Sequence, residues 1–500
     1  MNVTMLLDMA AEGFGDRVVT GRREGGLTAT ELRAASLAAA ADIREAGADA
    51  VVFLDVNGPA FPVALCAAAR AGVPLVPVNY RLGEEQLSTV LANHPKAFGI
   101  AGEEQLETLK RAGLRARTCQ EWLRATRESA VADLEETFTD PEAPAVIIYT
   151  SGTTSDPKGV LLRHTNLVSY VLGTVEFASA EPDEAALMSV PPYHIAAVAN
   201  VLTNLYAGRR TVVLERFTPE EWLRLMRDEG ITNAMVVPTM LARIVDSRAD
   251  KTLPALRGLA YGGAPMPSVV IERALGIWPQ VGFVNAYGLT ETSSTIAVLG
   301  PEDHRTAFAS DAPAVRARLA SVGRPVPMVE LEIRDYEDRL LPPGEKGRVC
   351  VRGEQVSAEY VGQGRAVDAR GFFDTRDHGY LDEDGYLFIA GRADDTIIRG
   401  AENIAPAEIE DVLMRHPAVL DVAVVGVPDD EWGQRIEAVV VARPGATAEP
   451  EELCRFVRDA LRGSKTPDRI EIWDELPRTP TGKLVRRSVV TRLHSGAAGL

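Results

Sequence analysis

Short apolar runs alternate with amphipathic or alanine-rich stretches through more than half of this chain, and no other feature constrains its fold as much. Thr28 and Glu31 form a capping box ahead of a helical stretch carrying Leu32, Leu37 and Ile43. Val51–Val56 reads as a strand, Pro62–Ala71 as an alanine-rich helix stopped by Gly72, and Val73–Val78 as the next strand. The same rhythm returns at Arg210–Leu214, Asn233–Val237 and Gly258–Tyr261. Such alternation predicts a largely parallel sheet with helices on both faces, an α/β architecture.

The pattern changes between Pro325 and Gly353. Val329–Arg334 and Gly347–Arg352 alternate in the manner of an antiparallel sheet or barrel, and Asp382-Glu383-Asp384-Gly385 is a strong hairpin turn. After Gly391-Arg392 comes a separate α+β unit. It has a helix at Ala405–Arg415, strands at Val419–Val427 and Ile436–Ala442, and a helix at Glu449–Leu461. The boundary is expected at Arg392–Asp395, giving domains 1–391 and 392–500. A net charge of −18 argues against nonspecific binding to nucleic acid or anionic membranes. No run reaches the roughly twenty apolar residues that cross a bilayer. Met1–Ala10 carries Asp8 and lacks the basic start of a secretory signal. The cysteines (Cys66, Cys119, Cys350, Cys454) lie far apart, as reduced thiols do in a cytoplasmic protein.

One segment carries chemistry openly. Tyr149-Thr150-Ser151-Gly152-Thr153-Thr154-Ser155-Asp156-Pro157-Lys158-Gly159-Val160 joins two apolar runs. Its glycines let successive N–H groups converge on an anion, its hydroxyls add donors, and Lys158 adds a positive charge. That equipment suits a polyphosphate, although Gly, Ser, Asp and Pro also make ordinary polar turns. The Walker pattern is absent, since Pro157 precedes the lysine and Gly159 follows it. Asn285-Ala286-Tyr287-Gly288-Leu289-Thr290-Glu291 follows the apolar strand Val281–Val284. It reads either as a capped helix start or as a ligand site at a sheet edge. In the second reading Tyr287 stacks on a purine, Thr290 meets phosphate, and Glu291 offers a hard oxygen to Mg²⁺.

The first segment closely resembles the phosphate-binding loop of the AMP-forming adenylating enzymes, the family of acyl-CoA synthetases, peptide-synthetase adenylation domains and firefly luciferase. Ser155 stands where that family usually has glycine. The 285–291 segment matches the family's YGxTE motif. Thr375-Arg376-Asp377 resembles its TGD, with Arg376 in the glycine position, directed either to solvent or to phosphate. Gly391-Arg392-Ala393-Asp394-Asp395 onward to Glu410 resembles the stretch that carries the family's hinge and CoA segment. Pro477–Arg487 resembles its PxTxxGK motif, and Gly262-Gly263-Ala264 its adenine-side loop.

The resemblance implies a large N-terminal domain of layered α/β sheets plus a distorted β-barrel, and a small α+β lid. It implies binding of ATP and AMP by Thr150, Ser151, Gly152, Thr153, Thr154, Lys158, Gly262, Gly263, Ala264, Asn285, Ala286, Tyr287, Gly288, Thr290, Asp377, Arg392 and Lys483. Glu291 is implied as the Mg²⁺ ligand and Lys483 as the catalytic lysine. His194 would lie beside the acyl group, with Thr290 and Glu291 completing the catalytic set. Arg399, Gly400 and Ala401 would meet CoA, with Ala401 replacing a usual glycine, and Asp394 would be the hinge. The implied reaction activates a small carboxylic acid with ATP and passes the acyl group to CoA. Amino acids are disfavoured, because no acidic side chain between Tyr193 and Ala199 is present to pair an α-amino group. The run of small apolar residues there suggests room for an alkyl, aryl or alicyclic tail. Alternatives are a single half-reaction, with an acyl-carrier protein as acceptor or a pre-made adenylate as donor, and a non-catalytic AMP-binding regulator.

Overall fold

The computed structural model describes residues 1–128, 139–150, 157–392, 395–399, 402–429, 432–461, 463–479 and 482–497. Two large sheets form the body. One orders its strands Arg324–Pro325, Ser294–Leu299, Gly282–Leu289, Gly258–Gly262, Asn233–Val236, Ala185–Met188, Arg210–Val213, Val18–Thr20 and Leu27–Thr28. The other centres on Pro144–Thr150, Leu75–Pro77, Val51–Leu54 and Phe98–Ala101, with Lys158–Arg163 beside the first of these. Inner pairings are parallel, as the alternation requires: Val51 faces Leu75, and Asn233 faces Gly258.

The expected helices form for the expected reasons. Thr28 Oγ1 accepts from the Glu31 N–H, and the Glu31 carboxylate accepts from the Thr28 N–H, starting the helix Ala29–Glu45. The alanine-rich helix begins slightly earlier than its sequence suggests, at Ala60, and ends on Gly72 at φ +77°. Small side chains let it sink wholly between neighbours: all but its last residue are buried. Trp222, Trp278, Tyr261 and Phe283 fill the core under the first sheet.

A four-stranded antiparallel sheet (Glu330–Arg334, Gly347–Arg352, Phe373–Leu381, Leu387–Arg392) stands where the pattern changes. Asp382 Oδ1 closes its hairpin by accepting from the Asp384 and Tyr386 N–H groups, and Gly385 takes φ +79°. The C-terminal unit has its own cores, built on the helix Pro406–Met414 and the strands Val419–Asp429, Gly433–Ala442 and Arg469–Trp473. Among the described residues no helix is long and apolar enough to cross a membrane.

One strand departs from expectation. Gly282–Leu289 continues through the Tyr-Gly pair, with a shift of register between Tyr287 and Gly288, instead of ending at Val284, because the antiparallel strand Ser294–Leu299 turns back to pair with it. A Cβ on Gly288 would lie 1.7 Å from the Ser294 carbonyl oxygen, so only glycine permits that close pairing.

Candidate active site

Two neighbouring parallel strands bring two motifs together. Tyr261 faces Asn285 and Gly262 faces Ala286, so the Gly262-Gly263-Ala264 turn meets the 285–291 segment at the sheet's C-terminal edge. Open α/β sheets bind ligands at that edge. A Cβ on Gly262 would lie 2.2 Å from the Ala286 carbonyl oxygen, and Gly263 takes φ +83°. Asn285 Nδ2 donates to the Ser321 carbonyl at 3.0 Å. Thr290 and Glu291 follow on a short 3₁₀ turn, Thr290–Thr292.

Glu291 is tied to the stem of the phosphate loop. Its Oε1 accepts from the Tyr360 hydroxyl at 2.9 Å, and its carbonyl accepts from the Ala358 N–H. Tyr360 faces Val160 in the strand that leaves the loop. Within the stem Thr150 faces Lys158, Tyr149 faces Gly159, and the Tyr149 hydroxyl meets His94 Nε2 at 2.9 Å. Ser151, Gly152, Thr153, Thr154 and Ser155 lie outside the described residues. Among the described residues no cluster of three or more His, Cys, Asp or Glu side chains could hold a metal. One carboxylate with a free oxygen nonetheless fits Mg²⁺, which keeps waters and binds largely through substrate phosphates.

Asp377 is buried and converges with three other groups. The Tyr287 hydroxyl donates to its Oδ2 at 2.6 Å, and Arg392, directly opposite across the sheet, places Nε 3.5 Å from Oδ1. Burial pushes the Asp377 carboxyl above its ordinary pKa, while Arg392, the Tyr287 hydroxyl and Lys483 pull it back. Burial, then the Asp377 charge, drives the Tyr287 phenol far upward, so it remains a hydrogen-bond donor.

The turn of Lys483 docks on the body from the C-terminal unit and brings its charge within electrostatic reach of Asp377 and Glu291. Its turn closes through Thr479 N–H to the Lys483 carbonyl (2.7 Å), Gly482 N–H to the Thr479 carbonyl (2.8 Å) and Lys483 N–H to Thr479 Oγ1 (3.0 Å). Arg478 braces it, with Nη2 on both Asp421 oxygens at 2.6 and 2.8 Å and Nη1 on the Gly482 carbonyl at 2.7 Å. Gly482 sits directly on Thr239, at the start of the body helix Pro238–Asp246. Lys483 keeps an exposed side chain, yet surrounding protein and then Arg392 lower its pKa, against the upward pull of Asp377, Asp395 and Glu291. His194 caps the helix Ile195–Ala207, its Nδ1 accepting from the Ala196 N–H at 3.3 Å. Burial, then the Lys483 charge, pushes its pKa down to about 4, so the ring is neutral at pH 7.

The structure thus gathers Glu291, Asp377, Tyr287, Arg392, His194 and Lys483 from separate segments. It does not bring Arg399 among them: that guanidinium pairs with Asp468 at 2.8 Å and stacks 5.5 Å from the Trp432 ring. Asp394, Gly400 and Ala401 lie outside the described residues. Two participants escape sequence reading. Tyr360 lies in a two-residue strand whose pairing is long-range, and Thr239 matters only because a distant turn lands on it.

Comparison with known proteins gives a consistent result. The AMP-binding enzyme family matches residues 7–361, and the AMP-binding enzyme C-terminal domain matches residues 408–483. The fatty acid–[acyl-carrier-protein] ligase ScoC of Streptomyces coeruleorubidus is 33% identical over 95% of this chain and 91% of its own length. A feruloyl-CoA synthase from an Amycolatopsis species is 34% identical, covering 95% and 96%. The o-succinylbenzoate CoA synthetase of Bacillus subtilis, solved with the acyl-adenylate intermediate OSB-AMP, superposes with a TM-score of 0.84 at 26% identity over 97% of each chain. The same enzyme has also been solved with ATP and a magnesium ion.

Proposed function

This chain belongs to the AMP-binding enzyme family, and we propose that it is an AMP-forming acid–thiol ligase acting on an apolar carboxylic acid. The acid's carboxylate attacks the α-phosphorus of ATP. The bond to the oxygen bridging the α- and β-phosphates breaks, and acyl-AMP and pyrophosphate result. The CoA thiol then adds to the acyl carbon, gives up its proton to solvent, and AMP leaves.

The observation that carries this reading is the docking of the Lys483 turn on the body at Thr239, which brings the lysine within electrostatic reach of Asp377, Glu291 and Arg392. A preorganised charge placed where negative charge develops contributes about 10²–10³ in rate. Asp377 offers carboxylate oxygens to the ribose hydroxyls, and Arg392 backs it. Tyr287, Asn285–Gly288 and Gly262–Ala264 border the adenine. Thr150–Thr154, Lys158 and Thr290 hold phosphates, and Glu291 would hold Mg²⁺, which would neutralise phosphate charge when bound. Neutral His194 borders the acyl group. The small apolar residues after it suit an apolar acid.

Body and lid meet near residues 391 and 392, with the hinge near Asp394. Rotation there exchanges Lys483 for Arg399, Gly400 and Ala401, which receive CoA in the second step. The separate location of Arg399, on Asp468 and Trp432, supports that division of labour. ATP and CoA as substrates suit the cytoplasm. One relative described above is named a CoA synthase and another an acyl-carrier-protein ligase, so the acceptor is tested directly. ATP–pyrophosphate exchange is measured across fatty, aromatic and alicyclic acids, and products with CoA or carrier protein are weighed by mass spectrometry. Acid-dependent exchange with acyl-CoA formation is expected. Exchange with no acid contradicts the reading, and acylation of carrier protein alone moves the acceptor.

A further inference from the structure

The strand Phe373–Leu381 loses register as it passes Val349. Arg348 faces His378 and Cys350 faces Asp374, so Thr375, Arg376 and Asp377 crowd opposite one residue. Thr375 Oγ1 anchors this bulge on the Val349 carbonyl at 2.8 Å and accepts from the Asp377 N–H at 3.1 Å. The Arg376 N–H donates to Asp374 Oδ1 at 2.8 Å. Arg376 itself takes φ +61°, a left-handed conformation that glycine adopts freely and an arginine adopts only at a cost. Backbone strain held in place by its surroundings is a pointer to function.

The side chain sharpens the point. Neighbouring Arg348, Arg352 and Arg370 each hold a carboxylate, at 2.9, 2.5 and 2.6 Å. The Arg376 guanidinium is exposed and makes no ion pair among the described residues. It lies within electrostatic reach of the Tyr360 hydroxyl, the group bonded to Glu291. The bulge therefore presents two neighbours differently: Asp377 is buried against Tyr287 and Arg392, while the Arg376 side chain is exposed, within electrostatic reach of Tyr360.

We propose that Arg376 binds phosphate at the polyphosphate end of the nucleotide, gripping the β- and γ-phosphates of ATP and then the departing pyrophosphate. This rests on the reading of the site as an ATP site. A guanidinium fork matches two phosphate oxygens at once. The phosphates of CoA share that chemistry, so the test separates the two sources.

Arg376→Gly removes the fork and relieves the left-handed backbone, so the variant should fold and melt no lower than wild type. The Kd for ATP and the inhibition constant for pyrophosphate should each rise about tenfold or more, as for a lost charge-assisted hydrogen bond. AMP affinity and the KM for CoA should stay unchanged, because AMP lacks the gripped phosphates. Unchanged ATP and pyrophosphate binding would overturn the proposal. So would an equal loss for AMP, or a loss confined to CoA. A wild-type protein that binds neither ATP nor AMP would instead overturn the reading of the site, and this inference with it.

Discussion

A methyl group on Gly482 would meet Thr239 Oγ1 at 2.4 Å, and the backbone there has φ +82°. The clash exists only while the turn rests on Thr239, whereas the left-handed backbone disfavours a side chain in the turn itself. Gly482→Ala should therefore slow adenylation by about 10- to 100-fold, the effect of roughly 1–3 kcal/mol of strain. Acyl-CoA formation from synthetic acyl-AMP should change less than about threefold. Comparing pyrophosphate exchange with that second half-reaction checks it, and equal losses in both would show a mere folding defect. Residues of this kind divide sharply in legibility. Lys483, Asp377 and Glu291 are singled out in the sequence because each sits in a contiguous motif that resembles the family's. Tyr360 and Thr239 are not, because their roles arise from chain segments that meet only after folding.

The helix Ser268–Ile277 begins after Pro267 without a cap of its own. Its cap comes from the lid: Asp411 Oδ1 accepts from the Ser268 N–H at 3.2 Å and from Ser268 Oγ at 2.9 Å. Val269 packs beside this bond against the lid's core, and Arg443 of the lid lies 3.6 Å from Asp246 of the body. A carboxylate on a helix N-terminus stabilises through both hydrogen bonding and the helix dipole. Here that stabilisation joins the C-terminal unit to the body in the arrangement that rests the Lys483 turn on Thr239. Asp411→Ala should lower the adenylation rate about 5- to 20-fold, as expected for a lost bond of about 1–2 kcal/mol. The thioester-forming rate should hold or rise, and separate assays of the two half-reactions decide it. At this scale the sequence is readable where periodicity is strong, as in Ala29–Glu45, whose capping box is visible in the residues. It misleads at Tyr287-Gly288, where a glycine that looks like a turn serves instead to let two strands touch.

Across the whole molecule, several imidazoles are buried in neutral form. His164 has no solvent exposure and accepts from the Val3 N–H on Nδ1; burial pushes its pKa down to about 4, as it does for His194. In the unfolded chain these rings titrate near 6.5. Between those values the unfolded state binds more protons, so stability is full above about pH 6.5 and is lost as pH falls toward 4. The urea midpoint should be lower at pH 5 than at pH 7, with the drop reduced in His164→Asn, whose Oδ1 still accepts from Val3. Equal pH dependence in both proteins would refute this. A C-terminal unit with cores of its own is legible at this scale, since the period of the sequence changes ahead of it. The seating of lid on body is not, because Gly482 on Thr239 and Asp411 on Ser268 join residues far apart in sequence. That seating is the central claim, and single-turnover kinetics of Lys483→Ala test it most directly. Formation of acyl-AMP from acid and ATP should fall about 10²–10³-fold, while transfer from synthetic acyl-AMP to CoA stays within about threefold of wild type. An unchanged first step, or an equal loss in both steps, would contradict it.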